Sequence, residues 1–383
     1  MKNNFKLMLV LMVLVIVVGA VLVAGETKSP YVVGAFVSAT GPNSTLGTPE
    51  KETLEMLSDK INKSGGINGH PLKLIIEDDG TDNTSAVKIA NKLINQDKVC
   101  ALIGSSGTGP SLAVMPIAEA NGIPQIAMAA GTKITDPINK WVFRTAPLDS
   151  FVVGKIYDYL NRQKIERVGI ICDSSGYGTS GRDQLKALAP KYKIKIVAEE
   201  SFGIKDTDMT VQLTKIRTTN AQAIICWGTN PGPAIIAKNR QQLGITLPLF
   251  MSHGIANQAF LDQAGSAANG IILPAIRLIV ADLLPASDSQ KKLLLEYAKD
   301  FKNSYHKPAD HYGGHAYDAL SLIVKALKKA GDNPAKIRDE IEKTKNFPGI
   351  GGIFNYSAEN HDGLDSNSCV MLKIVKQKWT ILK

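Results

Sequence analysis

Apolar runs of four to eight residues alternate with helical patterns along most of this chain. Tyr31–Ser38, Leu72–Glu77, Val99–Ile103 and Pro124–Met128 are short, nearly continuous in apolar residues and bounded by polar sequence. Such runs predict strands buried on both faces. Between the first two, Thr48–Ile61 sets Leu54, Leu57 and Ile61 on one helical face. Thr48-Pro49 marks its start and Gly65-Gly66 its end. Asn83–Gln96 and Ser111–Asn121 repeat the amphipathic pattern. The alternation then restarts, with strands predicted at Arg167–Cys172, Lys193–Glu199, Ala221–Trp227, Leu247–Met251 and Gly270–Leu273. Helical stretches at Tyr177–Leu188, Asp208–Thr219 and Pro233–Leu243 lie between them. Ser287 to Lys345 predicts three helical segments with no strand, and Cys369–Val375 with Lys378–Leu382 a terminal hairpin. Strand and helix in alternation mean parallel sheets covered by helices. Two such units without a long linker predict two lobes facing each other. Ligands of these sheets bind beyond the carboxyl ends of the strands, so the residues just after each strand carry the interest.

Residues 1–25 read differently. Lys2 and Lys6 precede seventeen uncharged residues, Leu7 to Val23, followed by Ala24, Gly25 and polar sequence from Glu26. A basic start, an apolar run and small residues form the pattern of a secretory signal peptide. The run also reaches the lower limit for a membrane span, so a retained N-terminal anchor is the alternative. No cysteine lies near the junction to accept a lipid. Either way the body of the chain is expected outside the cytoplasm.

With 383 residues, 44% hydrophobic and 21% charged, the composition is that of a globular protein of two domains of about 150 residues each. The net charge of +9 falls to +7 without Lys2 and Lys6, and no long run of like charge occurs. Aromatics are 6%. A nucleic-acid surface, which needs a basic stripe with interleaved aromatics, is not expected. Cys100, Cys172, Cys226 and Cys369 are far apart, three of them in short apolar runs, and read as small buried hydrophobes. One disulfide among them stays open.

Glycine-rich loops carry the candidate chemistry. Gly104-Ser105-Ser106-Gly107-Thr108-Gly109-Pro110-Ser111 leads from a strand into a helix. Free backbone N–H groups at a helix start, together with the helix dipole, make a cradle for a carboxylate or phosphate. Ala129-Ala130-Gly131-Thr132 repeats the arrangement one strand later. Simple N-capping explains either loop alone; two on adjacent strands favour binding. Gly176-Tyr177-Gly178-Thr179-Ser180-Gly181 matches a G-x-G-x-x-G, with Glu199 and Glu200 on the next strand. Asp173-Ser174-Ser175 delays the glycines too far for a dinucleotide turn, so the loop reads as one that presents Tyr177. His311 and His315 in HYGGH have i, i+4 spacing, but Gly313 and Gly314 are poor helix formers and no Glu lies between. No metal site and no cofactor are expected, and no catalytic residue emerges.

These segments carry a resemblance. SATGPNSTLGTPEKETLEMLSDKINKSGGINGHPLKLIIEDDGTD, LIGSSGTGPSLAVMPIAEANGIPQIAMAAGTKITDP, WVFRTAPLDS, DSSGYG, GGHAYDAL and GIGGIFNYS occur in order across residues 30–383. As a set they resemble the periplasmic leucine/isoleucine/valine-type solute-binding proteins of ABC transporters. The resemblance implies a type I periplasmic binding protein fold, two parallel-sheet α/β lobes joined by a three-strand hinge. It places lobe 1 at residues 30–146 plus 276–350, and lobe 2 at 147–275 plus 351–383. It implies no catalysis, but a monomer that captures a small carboxylate-bearing solute and hands it to inner-membrane ABC permease subunits. By motif, Thr108 with Gly109 would take the ligand carboxylate, and Ala130, Gly131 and Thr132 the amino-acid head group. Tyr177 would reach in from the second lobe, with Trp227 and Asn230 in the wall of that lobe.

Two positions depart from the family pattern. Where amino-acid-binding members commonly carry an acid after the strand LFM, this chain has Ser252-His253-Gly254, and Leu46 stands where an aromatic is frequent. His253 cannot pair an ammonium by charge. An organic or aromatic acid therefore competes with the branched-chain amino acids as ligand. A ligand-sensing module of a signalling system and an exported nucleotide-dependent enzyme are the alternatives. The first would need an output domain after the lobes and the second a catalytic partner for the Gly176 loop.

Overall fold

A computed structural model describes residues 28–382. The expected signal peptide or anchor at 1–25 lies outside the described residues. The first unit runs β1 (Tyr31–Val37), α1 (Ser44–Lys63), β2 (Leu72–Asp78), α2 (Asn83–Asn95), β3 (Leu102–Gly104), α3 (Thr108–Asn121), β4 (Gln125–Ala127) and β5 (Val142–Arg144). Its strands form one parallel sheet in the order β2-β1-β3-β4-β5. β5 escaped prediction because its apolar run, Trp141 to Phe143, stops at Arg144 and is shorter than the runs that mark the other strands.

The second unit runs α4 (Asp149–Arg162), β6 (Arg167–Asp173), α5 (Gly176–Leu188), β7 (Lys195–Phe202), α6 (Thr210–Arg217), β8 (Ala223–Trp227), α7 (Gly232–Gln242), β9 (Leu249–Met251), α8 (Gln258–Ala264) and β10 (Ile272–Ile276). After it come α9 (Lys291–Tyr305), α10 (His311–Ala330), α11 (Pro334–Glu342), the short pair β11 (Phe347–Pro348) and β12 (Ile353–Phe354), and the hairpin β13 (Cys369–Val375) and β14 (Lys378–Ile381). β7-β6-β8-β9-β10 repeats the strand order of the first sheet, and the hairpin extends it antiparallel from β10. The strands are sealed on both faces by helices, which is why they are nearly continuously apolar: Val168, Ile170, Ile171, Ile224 and Ile225 are fully buried.

The chain passes between the sheets after β5, after β10 and again before β13. α10 returns to the first lobe, where Ala316, Leu320 and Ile323 pack with Val33, Leu54 and Phe143. Residues 353–364 stay there as well. Phe354, Tyr356 and Leu364 join the same core, and Tyr356 Oη donates to Arg144 O at 2.7 Å. The boundary expected at 350/351 falls ahead of this segment, and the second sheet resumes only at Cys369.

Gly313 and Gly314 correct one expectation, since both lie inside α10. A Cβ on Gly313 would sit 2.3 Å from Tyr297 Oη, and one on Gly314 would sit 2.6 Å from Ile350 Cγ2. Close packing against neighbouring elements overrides their poor helix propensity. All four cysteines are buried and free.

Candidate ligand-binding site

In both sheets the strand order reverses beside the first strand of the unit, opening a crevice at the carboxyl ends. The two crevices face each other and enclose a cavity of about 300 Å³. Its wall is built from the loops after the strands: Asn43 after β1, Ser106–Pro110 after β3, Met128–Ala130 after β4, Ser174–Tyr177 after β6, Thr229 after β8 and His253-Gly254 after β9. The start of α10 closes one side with His311, Tyr312 and His315.

The lobes touch across this cavity. Tyr312 Oη donates to Gly254 O at 2.7 Å, His311 Nδ1 lies 2.8 Å from Ala256 O, and Thr132 N–H donates to Ser180 Oγ at 3.0 Å. A Cβ on Gly176 would meet Gly109 N at 3.2 Å, so the first turns of α3 and α5 meet at near contact and glycine permits it.

Five of the nine expected site residues, Thr108, Gly109, Ala130, Tyr177 and His253, lie on the wall. Thr108 Oγ1 is buried without a hydrogen-bond partner in the chain. Tyr177 Oη and His253 Nδ1 are 3.3 Å apart. The other four lie off the wall. Gly131 packs against Thr108: a Cβ there would be 2.3 Å from Thr108 Cγ2. Thr132 contributes its backbone to the contact with Ser180. Trp227 is fully buried behind Tyr177, with ring centroids 5.8 Å apart. Asn230 is buried and donates from Nδ2 to Asn257 Oδ1 at 3.3 Å. The G-x-G-x-x-G motif is explained by packing, since a Cβ on Gly181 would lie 2.2 Å from Trp227 Nε1 and one on Gly178 would lie 2.0 Å from Asp173 O.

Sequence reasoning passed over His311, Tyr312 and His315 as wall residues. The i, i+4 spacing was visible, but only α10 brings both rings to one face, 5.7 Å apart by centroid. Among the described residues no group of three or more His, Cys, Asp and Glu converges on a possible metal position.

Carboxylates stand one layer back and hold the loops. Asp79 accepts from Ser38 Oγ at 2.7 Å and Ser105 Oγ at 2.5 Å, and Glu50 accepts from Ser106 Oγ. Asp173 accepts from Ser175 N and Thr229 N, and Asp310 from Gly313 N. Arg144, fully buried, donates from Nη1 to Ala130 O at 2.8 Å and Gly131 O at 3.2 Å, and pairs with Asp362 at 2.6 Å. Burial pushes Asp149 and Asp310 up to about 7 and Glu50 well above the usual carboxylate range. Burial pushes the imidazoles the other way: His253 to about 3, with His311 and Arg144 adding to it, and His311 to about 4. The wall histidines are neutral at pH 7.

The sequence model for the family of periplasmic binding proteins matches residues 30–376. The chain belongs to this family. Among periplasmic binding proteins it is similar to the leucine-, isoleucine-, valine-, threonine- and alanine-binding protein of Pseudomonas aeruginosa, 28% identical over 310 residues, 79% of each chain. Leu/Ile/Val-binding protein homolog 3 of Brucella melitensis is 24% identical over 87% of this chain and 89% of that one. An extracellular ligand-binding receptor from Rhodopseudomonas palustris HaA2 superposes with a TM-score of 0.87 at 27% identity, covering 93% of this chain and all of that one. The branched-chain amino acid transporter substrate binding protein LivJ from Streptococcus pneumoniae, in complex with isoleucine, shares the fold at a TM-score of 0.81 and 24% identity, over 91% and 97% of the two chains. The fold is thus the type I periplasmic binding protein fold. The family consists of solute-binding receptors rather than enzymes, and it implies an extracytoplasmic location.

Proposed function

We propose that this periplasmic binding protein captures a small carboxylate-bearing solute between its lobes and delivers it to inner-membrane ABC permease subunits. The solute falls in the range of the branched-chain amino acids and related organic or aromatic acids. The protein acts as a monomer in the periplasm, after signal cleavage or held by an N-terminal anchor. One observation carries the reading. The cavity lies at the switch points of both sheets, and the first turn of α3 opens onto it with no side-chain cap and with the unpartnered Thr108 hydroxyl. Backbone N–H groups at a helix start stabilise an anion without a counter-cation. Thr108 and Gly109 would take the carboxylate, Ala130 would flank it, and Tyr177 would close from the second lobe. Thr108→Ala removes a hydrogen bond to a charged group, worth about 1.5–3 kcal/mol. Calorimetry should therefore read at least about a tenfold loss of affinity, with the melting temperature of the ligand-free protein little changed. Unchanged affinity would remove the carboxylate cradle.

A further inference from the structure

Three helices begin at the cavity. Thr108 and Gly109 open α3, Gly176 and Tyr177 open α5, and His311 and Tyr312 open α10. The start of α3 has no side-chain cap and faces the solute with its positive end, whereas Ser175 and Asp173 cap α5 and Asp310 caps α10. Among the described residues that line the cavity, none is Asp, Glu, Lys or Arg. A carboxylate fits the start of α3, whereas an ammonium would find no anion on the wall.

The nearby acids are committed elsewhere. Asp173 is bound by Ser175 and Thr229, Asp310 caps α10, Asp79 binds two serines, Glu50 takes Ser106 and Asp149 takes Ser180. What the wall does offer beside the cradle are neutral nitrogen and oxygen groups. His311 Nδ1 must donate to Ala256 O, which leaves Nε2 as a lone-pair acceptor, and that atom is buried without a partner in the chain. Tyr312 Oη donates to Gly254 O, so its oxygen is likewise left to accept. His253 shares Nδ1 with Tyr177 Oη.

We infer that the solute is a carboxylate whose second polar group is an uncharged hydroxyl in place of an ammonium, with His311 Nε2 accepting from its O–H and His253 beside it. This rests on the carboxylate reading proposed above and narrows its substrate class.

Titration of the ligand-stripped mature chain with isosteric sets tests it. One set is leucine, 2-hydroxy-4-methylpentanoate, 4-methyl-2-oxopentanoate and 4-methylpentanoate; the second is the corresponding phenylalanine series. In whichever series binds, the hydroxy acid should bind at least about tenfold more tightly than the amino acid, and more tightly than the oxo acid and the acid lacking the oxygen. His253→Asp should narrow or reverse the preference in favour of the amino acid. The wild-type ranking decides the matter without that variant. An amino acid that binds as tightly as its oxygen analogue overturns the inference and leaves carboxylate capture standing. Equal binding of the oxo acid or of the unsubstituted acid overturns the reading of the hydroxyl. Binding of no carboxylate in either series overturns the parent reading, and this one with it.

Discussion

His311 shows how much a single side chain depends on what surrounds it. On the sequence it is half of a glycine-spaced pair; in the fold it is 2% exposed, tied to Ala256 across the lobes and held neutral. Its pKa is lowered by burial from 6.5 to about 4. The stability it contributes is therefore fully present above pH 6.5 and is lost as the pH falls toward 4, because the unfolded chain takes up a proton that the folded one refuses. Asp149 and Asp310 work in the opposite sense: raised to about 7, they stabilise at low pH and lose that contribution as the pH rises from about 4 to 7. The two slopes overlap, so the histidine is isolated by difference. As the pH falls from 6 to 4.5, the stability of the wild type relative to His311→Gln should drop by up to about 1.4 kcal/mol per pH unit for one proton. Urea unfolding of both proteins across that range checks this. Parallel curves would mean that His311 titrates normally.

At the scale of elements, the loop after β4 is the part of the site that needs support from afar. Its carbonyls at Ala130 and Gly131 point at Arg144 on β5, and Arg144 is balanced by Asp362, which also accepts from Thr135 Oγ1 at 2.5 Å. Segment 353–364 thus reaches the site through one buried cation. Removing one partner of a buried pair leaves the other charge uncompensated and costs about 3–5 kcal/mol. Asp362 is 24% exposed at its side chain, so Asp362→Ala should fall near the low end, about 3 kcal/mol by denaturant unfolding. It should also loosen the 129–132 loop and weaken ligand binding. A variant with unaltered stability would show that Arg144 is neutralised elsewhere, with Asp149 the other carboxylate that acts on it.

At the scale of the whole molecule, the two lobes repeat one strand order and meet over one cavity, so a solute bound there ties both together. A ligand at a hundred times its dissociation constant adds about 2.7 kcal/mol to the stability of the closed form. A thermal-shift screen over amino and organic acids should therefore raise the melting point only for solutes that fit. The leader makes a separate prediction for the same molecule. Intact-mass measurement of protein recovered outside the cytoplasm should place the first residue near Glu26. Recovery of full-length chain from the membrane would favour the anchor, and recovery from the cytoplasm with Met1 retained would reject export.

Much of this protein is determined by local sequence. The buried strands are legible because a strand sealed on both faces must be apolar along its length, as VGIICD and AIICW are. The helices between them are legible from their faces and ends, and the uncapped helix start at Thr108 from glycines and hydroxyls placed between a strand and a helix. Thr108, Tyr177 and His253 reach the wall as expected because each follows directly on a strand or opens the next helix. Only the tertiary structure decides the rest. Trp227 ends a strand as favourably as any of these, yet Gly181 packs over its indole and leaves it behind Tyr177. His311 and His315 lie far along the chain from the loops they face, and Gly313 and Gly314 become helical only because Tyr297 and Ile350 press against them. Period and capping are properties of neighbours in sequence, whereas a cavity wall is made by residues that meet only after two sheets and a returning helix have packed.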